Sequence, residues 1–163
     1  MSVKSYRTAG ILFAALALIV GIYVGAREHK HVVPQDMRGT WLTTPRVLQP
    51  FQMQYTEGGQ FTNDTLKGHW SLVFFGFTHC PELCPTTMSE LAKAIGLLKS
   101  EGLEELPQVT MVTVDPERDG LEALKTYVKG FNPKFTGAVP DAKMLKRVAR
   151  EVGVAYQKVS GDS

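Results

Sequence analysis

The chain's two cysteines, Cys80 and Cys84, are separated by three residues in Gly76-Phe77-Thr78-His79-Cys80-Pro81-Glu82-Leu83-Cys84-Pro85. A thiol pair so placed can hold a soft metal ion or close reversibly into a disulfide. If a helix begins at or within this segment, residues four apart share a face with about 5–6 Å between Cβ atoms, close enough for either chemistry after local adjustment. Three intervening residues, where a thioredoxin-type redox loop has two, alter the thiol separation and the potential, which argues against assuming strong oxidoreductase turnover. Zinc and iron–sulfur sites normally take about four protein ligands, and no further cysteine is present, whereas Cu(I) accepts fewer and matches a two-thiol site best. The bland alternative is a pair of small buried hydrophobes or a structural disulfide. Pro81 and Pro85, and a position just past an apolar run, are costly choices for core filling alone.

His79 adjoins Cys80 and is expected to be a lid or electrostatic neighbour ahead of a direct ligand, because adjacent helical residues do not face one another. The segment Asp115-Pro116-Glu117-Arg118-Asp119 should emerge at the same end of the sheet as the cysteines. It either helps close the site or dock a partner, or is an ordinary strand-to-helix turn in which Pro116 fixes the backbone and Asp119 caps the next helix. Met88 and Met144 fall at inward helical positions and are core fillers before they are copper ligands. His29 and His31 lie on a tether, where solvation is the ordinary reading. Hydrolase, kinase and nucleotide-site patterns are absent, and Gly58-Gly59 is too short to cradle a phosphate.

The elements that must position the thiols follow from hydrophobic periodicity. Alternation over Phe51 to Tyr55, a turn at Glu57-Gly58-Gly59 and a restart at Gln60 to Thr62 predict a hairpin. Asn63 or Asp64 can cap a short turn through Leu66, and the continuous apolar run Trp70 to Phe77 suits a central strand covered on both faces. Helical spacing then appears over Thr86–Ser100 and Leu121–Lys129, with a strand at Val109–Val114 between them. A third helix spans Asp141–Glu151, capped by Asp141, and Val152 to Val159 begins another strand. This order describes an α/β sandwich with right-handed crossovers.

Around that domain, Lys4 and Arg7 precede an uninterrupted small-and-apolar segment, 9–26. At ~1.5 Å per residue it extends about 27 Å, near the thickness of a hydrocarbon core, so an uncleaved transmembrane anchor is the first reading and a cleaved secretion signal its competitor. The expected organisation is a cytoplasmic N-terminus at 1–8, the anchor at 9–26, a proline-containing tether at 27–41 and one exported domain at 42–163. A formal net charge of +2, without a basic stripe, excludes nucleic acid as an expected partner. In an oxidising compartment the thiol pair needs a reductant or a metal to keep it from closing.

The run Phe74 to Thr87 through both cysteines, together with Val114-Asp115-Pro116-Glu117-Arg118-Asp119, resembles the Sco family of membrane-tethered copper proteins, from about Leu42 to Val159. The resemblance implies a thioredoxin-like α/β sandwich, with a central mixed sheet and an N-terminal hairpin, facing the bacterial periplasm from the inner membrane. It implies copper, Cu(I) or Cu(II), bound by Cys80 and Cys84, with Asp115 as the family aspartate near the metal. The implied task is delivering copper to the dinuclear centre of cytochrome c oxidase, or preparing that centre by reducing its cysteines. The implied partners are the copper-receiving oxidase subunit, a thiol reductant and another copper chaperone. The alternative is a thiol–disulfide oxidoreductase keeping an exported partner reduced, with Cys80 attacking and Cys84 resolving as the catalytic pair. One departure stands out. The family's distal histidine ligand has no counterpart, since no histidine follows His79, and the sequence is expected to be a fragment truncated at its C-terminus.

Overall fold

The computed structural model describes residues 15–18 and 39–157. The chain divides into two units, Met1–Pro45 and Arg46–Ser163. In the first, residues 15–18 are helical and exposed. The expected anchor at 9–26 lies mostly outside the described residues, and among those no helix is long and apolar enough to cross a membrane.

The second unit is built on a five-stranded sheet of order β2-β1-β5-β4-β3. Its strands are β1 (Gln52–Tyr55), β2 (Gln60–Thr62), β3 (Ser71–Gly76), β4 (Gln108–Thr113) and β5 (Thr136–Val139). β3, β4 and β5 run parallel, while β1 is antiparallel to both β2 and β5, so the sheet is mixed as expected. The hairpin turn uses Gly58 (φ 89°) and Gly59 (φ 70°), backbone values that side-chain-bearing residues rarely adopt. Asn63 precedes the short 3₁₀ turn Asp64–Leu66 without a side-chain cap there; its carboxamide oxygen accepts from Phe51 N–H at 2.9 Å instead.

Three helices cover the sheet: α1 (Leu83–Ser100), α2 (Leu121–Phe131) and α3 (Ala142–Val152). Strand alternation sorts the core into two clusters. Val109 and Met111 of β4 join Met88 and Ile95 of α1, Leu124 and Val128 of α2, and Phe135. Val112 joins Phe51, Met53, Phe61, Ala138 and Val148 of α3 in the other. Asp141 caps α3 as expected, accepting from Met144 N–H at 2.7 Å.

Three differences from the sequence reading have physical causes. β5 escaped it: Thr136-Gly137-Ala138-Val139 is short and carries a glycine, yet it is the strand that joins the hairpin to the parallel half. Gly137 is there for close approach, because a Cβ would stand 2.6 Å from Leu124 Cγ of α2. The run expected as a central covered strand is β3, which lies at one edge of the described sheet, with Leu72 and Val73 39% and 38% exposed. Only its C-terminal half is packed on both faces, Phe74 in one cluster and Phe75 in the other. A run of apolar residues reports a demand for cover and does not count strand neighbours. Finally, the strand expected from Val152 does not form within the described residues. α3 includes Val152 and ends at Gly153 (φ 79°), Val154 N–H returns to Ala149 O at 2.8 Å, and residues 154–157 are irregular.

Candidate metal and thiol site

The thiol loop leaves the C-terminal end of β3, and the loop 114–120 leaves the C-terminal end of the adjacent parallel strand β4. Their register pairs Gly76 with Thr113, and Val114 N–H donates to Gly76 O at 2.8 Å, so the two loops start side by side. This is the sheet edge at which parallel α/β folds place their sites.

Phe77 to Cys80 form a turn closed by Cys80 N–H donating to Phe77 O at 3.3 Å. α1 begins at Leu83, earlier than its apolar spacing indicated, and takes Cys84 into its first turn. Glu82 at the N-cap makes no side-chain capping bond. Cys80 Sγ stands in for the missing capping oxygen, accepting from Cys84 N–H at 3.3 Å. Pro85 in the first turn lacks an N–H where none would find a helical partner.

The two thiols are free and differ sharply in setting: Cys80 is half-buried, while Cys84 is 4% exposed. For Cys80, burial is the largest single influence and raises its pKa. Donation from the Cys84 backbone and thiol and from the Glu82 and Leu83 N–H groups outweighs it, so the net shift is downward. For Cys84, burial dominates and pushes the thiol up to about 11; the Phe77 N–H opposes this, and the Cys80 sulfur and the Asp119 charge reinforce it. The Cβ of an alanine at Gly76 would lie 3.1 Å from Cys84 Sγ, so the end of β3 closes tightly over that thiol.

The sequence reading singled out Asp115, but the structure brings Asp119 to the thiol loop. Asp119 is 0% exposed and accepts from Thr78 N–H at 2.9 Å, Thr78 Oγ1 at 2.5 Å and Thr113 Oγ1 at 2.7 Å. Its Oδ1 is also 3.4 Å from His79 Nδ1. Asp119 therefore does not cap α2, whose N-cap is Gly120 without a side-chain bond. Asp115 instead turns onto Arg118 as an ion pair, and its own backbone N–H donates to Thr113 Oγ1 at 3.0 Å. The missed signal was register: β3 and β4 are parallel neighbours, so the chain six residues beyond Thr113 runs beside the loop after β3, and a carboxylate there can fold back onto it.

His79 lies in the turn ahead of the helix, so the helical argument that kept it away from Cys80 does not apply. Its side chain is 58% exposed, with Nδ1 3.0 Å from Thr78 Oγ1. Tyr127 of α2 is a further neighbour unforeseen from sequence. Its hydroxyl is buried with no hydrogen-bond partner among the described residues, and its pKa is pushed up to about 12, first by burial and then by the negative charges of Cys84, Cys80 and Asp119. Met88 is buried in the core between α1 and the sheet, and Met144 packs on the opposite cluster beside Arg147, in keeping with filler roles. His29 and His31 lie outside the described residues. Among the described residues, no three His, Cys, Asp or Glu side chains converge into a ready cage for an ion. The site is thus a thiol pair with one reachable and one covered sulfur, held from beneath by a buried carboxylate.

Known proteins are similar to this chain in sequence and fold. The SCO2-like protein RP587 of Rickettsia prowazekii is 37% identical over 114 residues, 70% of this chain and 55% of its own length. The human mitochondrial SCO1 homolog is 32% identical over 155 residues, 93% of this chain and 50% of its own. The chain thus spans about half the length of these curated relatives. Among solved structures, the copper-bound ScoI of Arabidopsis thaliana superposes with a TM-score of 0.65 at 37% identity, covering 70% of each chain. The expected thioredoxin-like α/β sandwich is therefore the fold. The profile of the SCO1/SenC family matches residues 40–163, which takes in the whole sheet, both site loops and all three helices: the chain belongs to the SCO1/SenC family.

Proposed function

We propose that this chain is a copper-binding assembly factor that delivers copper to the dinuclear centre of cytochrome c oxidase, or prepares that centre to receive it. Copper is its cargo, held by Cys80 and Cys84. The observation that carries the reading is the pairing of a half-exposed thiol whose sulfur sits at a helix start with a covered thiol one turn further on. Both sulfurs must be deprotonated to bind a soft ion, and the helix N-terminus favours the anionic form of the first. A site with one sulfur accessible permits exchange with a partner's thiols, which delivery requires and a closed structural site would prevent. The copper-bound relative in the same fold and the family resemblance support copper over other soft ions. The same resemblance supports a domain in the bacterial periplasm, tethered to the inner membrane by residues 9–26. It also supports as partners the copper-receiving oxidase subunit, a thiol reductant and a second copper chaperone.

The test is anaerobic Cu(I) binding by the reduced protein in competition with a chromophoric chelator. One tightly bound equivalent, lost in both Cys80→Ser and Cys84→Ser, is the expected result. Folded protein without binding would reject the reading.

The same asymmetry favours a second reading, a thiol–disulfide oxidoreductase. Cys80, half-exposed and with a lowered pKa, would attack a partner disulfide, and buried Cys84 would resolve the mixed species. Cys84→Ser in the absence of copper should then trap a partner covalently, and a Cys84→Ser protein that captures none would rule this reading out.

A further inference from the structure

The hydrogen bonds beneath the thiol loop fix which nitrogen of His79 carries its proton. The Thr78 hydroxyl has one hydrogen, and it is donated to Asp119 Oδ1 across 2.5 Å. The hydroxyl oxygen can then only accept from His79 Nδ1, 3.0 Å away, so Nδ1 holds the imidazole hydrogen. Asp119 Oδ1 at 3.4 Å from the same nitrogen draws that hydrogen the same way. Neutral His79 is therefore the Nδ1–H tautomer, with its lone pair on Nε2. A metal-binding histidine ordinarily has this form, its second nitrogen donating to a carboxylate or a relay to one. Here the relay is Thr78, and the carboxylate is buried and pinned by Thr113 as well.

Exposure supplies the second observation. The His79 side chain is 58% exposed and Cys80 is half-buried, whereas Cys84 is 4% exposed. An ion approaching from solvent can reach His79 and Cys80 before it can reach Cys84.

We infer that His79 Nε2 and Cys80 Sγ, on consecutive residues of the turn, form a capture site that takes Cu(I) from solvent or from a donor and passes it to the Cys80–Cys84 pair. The inference rests on the copper reading above. In the first step the ion gains a nitrogen and a sulfur donor, and the Cys80 proton leaves to solvent. In the second, Cys84 loses its proton to solvent and its sulfur replaces the imidazole. No electron is transferred in either step. His79 is thus a transient ligand, and Thr78 and Asp119 are positioning residues that keep its lone pair available.

Three measurements on the reduced full chain test this. Long-range ¹H–¹⁵N correlation of the metal-free protein should show His79 protonated at Nδ1. Stopped-flow Cu(I) uptake from a chromophoric chelator should slow roughly tenfold in His79→Ala, and by a similar factor in Thr78→Val, which keeps the imidazole but removes the relay. The Cu(I) equivalent bound at equilibrium should be unchanged in both, with circular dichroism reporting an intact fold. An Nε2–H tautomer, or equal uptake rates in wild type and His79→Ala while one equivalent still binds, overturns the capture site and leaves the two-thiol reading standing. Failure of the wild-type protein to bind Cu(I) at all overturns both.

Discussion

The difference between the two sulfurs is the residue-scale feature with the widest consequences. With the Cys80 pKa lowered and the Cys84 thiol pushed up to about 11, alkylation should discriminate between them. Mass spectrometry after brief iodoacetamide treatment near neutral pH is expected to find Cys80 modified and Cys84 intact, and equal labelling would contradict the burial of Cys84. The Cys84 shift also has a sign for stability. Its folded value exceeds the ordinary thiol value of 9.0, so its contribution is complete below that pH and is lost progressively as pH climbs toward about 11. Asp119 is the other decisive residue. Asp119→Ala would strand Thr78 N–H and the hydroxyls of Thr78 and Thr113 in a buried place, at a cost of roughly 2–3 kcal/mol in urea unfolding. Asp119→Asn, which keeps the volume and one acceptor, should lose less.

Between elements, the site depends on how closely the end of β3 meets the start of α1. An alanine Cβ at Gly76 would come within 2.7 Å of Phe74 Cε1 and 3.1 Å of Cys84 Sγ. The ring edge can swing aside, but the sulfur lies in the first turn of a helix, so Gly76→Ala should displace Cys84. We expect a loss of Cu(I) affinity in chelator competition larger than the loss of unfolding free energy; the reverse order would mean the helix simply shifts with its thiol. This contact also marks the limit of what the amino-acid sequence reveals. The helices were legible because their apolar residues recur at turn spacing, and the thiol pair because its spacing is chemical information in itself. The Asp141 cap was legible as well, since capping is local. β5 was not, because four small residues carry no period, and the need for Gly137 arises only from Leu124 across the sheet. Asp119 was assigned to the nearest helix because local rules favour a cap, whereas strand register sends its side chain to a loop 41 residues away.

At the scale of the whole domain, the sheet makes the site report on global stability. β4 contributes Val109 and Met111 to one apolar cluster and Val112 to the other, so neither cluster can open without loosening the strand between them. β3 hangs on β4 along one edge, and the thiol loop ties the end of β3 to α1 through the Cys80–Cys84 contact and to the start of α2 through Asp119. An ion held by both sulfurs therefore links the edge strand β3, the 18-residue helix α1 and the loop before α2. Binding to the folded state alone stabilises by RT ln(1 + [L]/Kd), roughly 2.7 kcal/mol at a hundredfold excess over Kd. Under the copper reading, Cu(I) buffered at that level should shift the urea midpoint seen by far-ultraviolet and by near-ultraviolet circular dichroism together, since Tyr127 packs on one cluster, Tyr55 on the other, and the two clusters share β4. The shift should vanish in the Cys80→Ser/Cys84→Ser double variant. Thiols of the unfolded chain also bind Cu(I) and reduce the effect, so the comparison that decides is between wild type and double variant at one buffered copper level. A shift confined to one probe would show that the ion clamps the thiol loop without engaging the sheet, and the coupling through β3 and Asp119 would then be wrong.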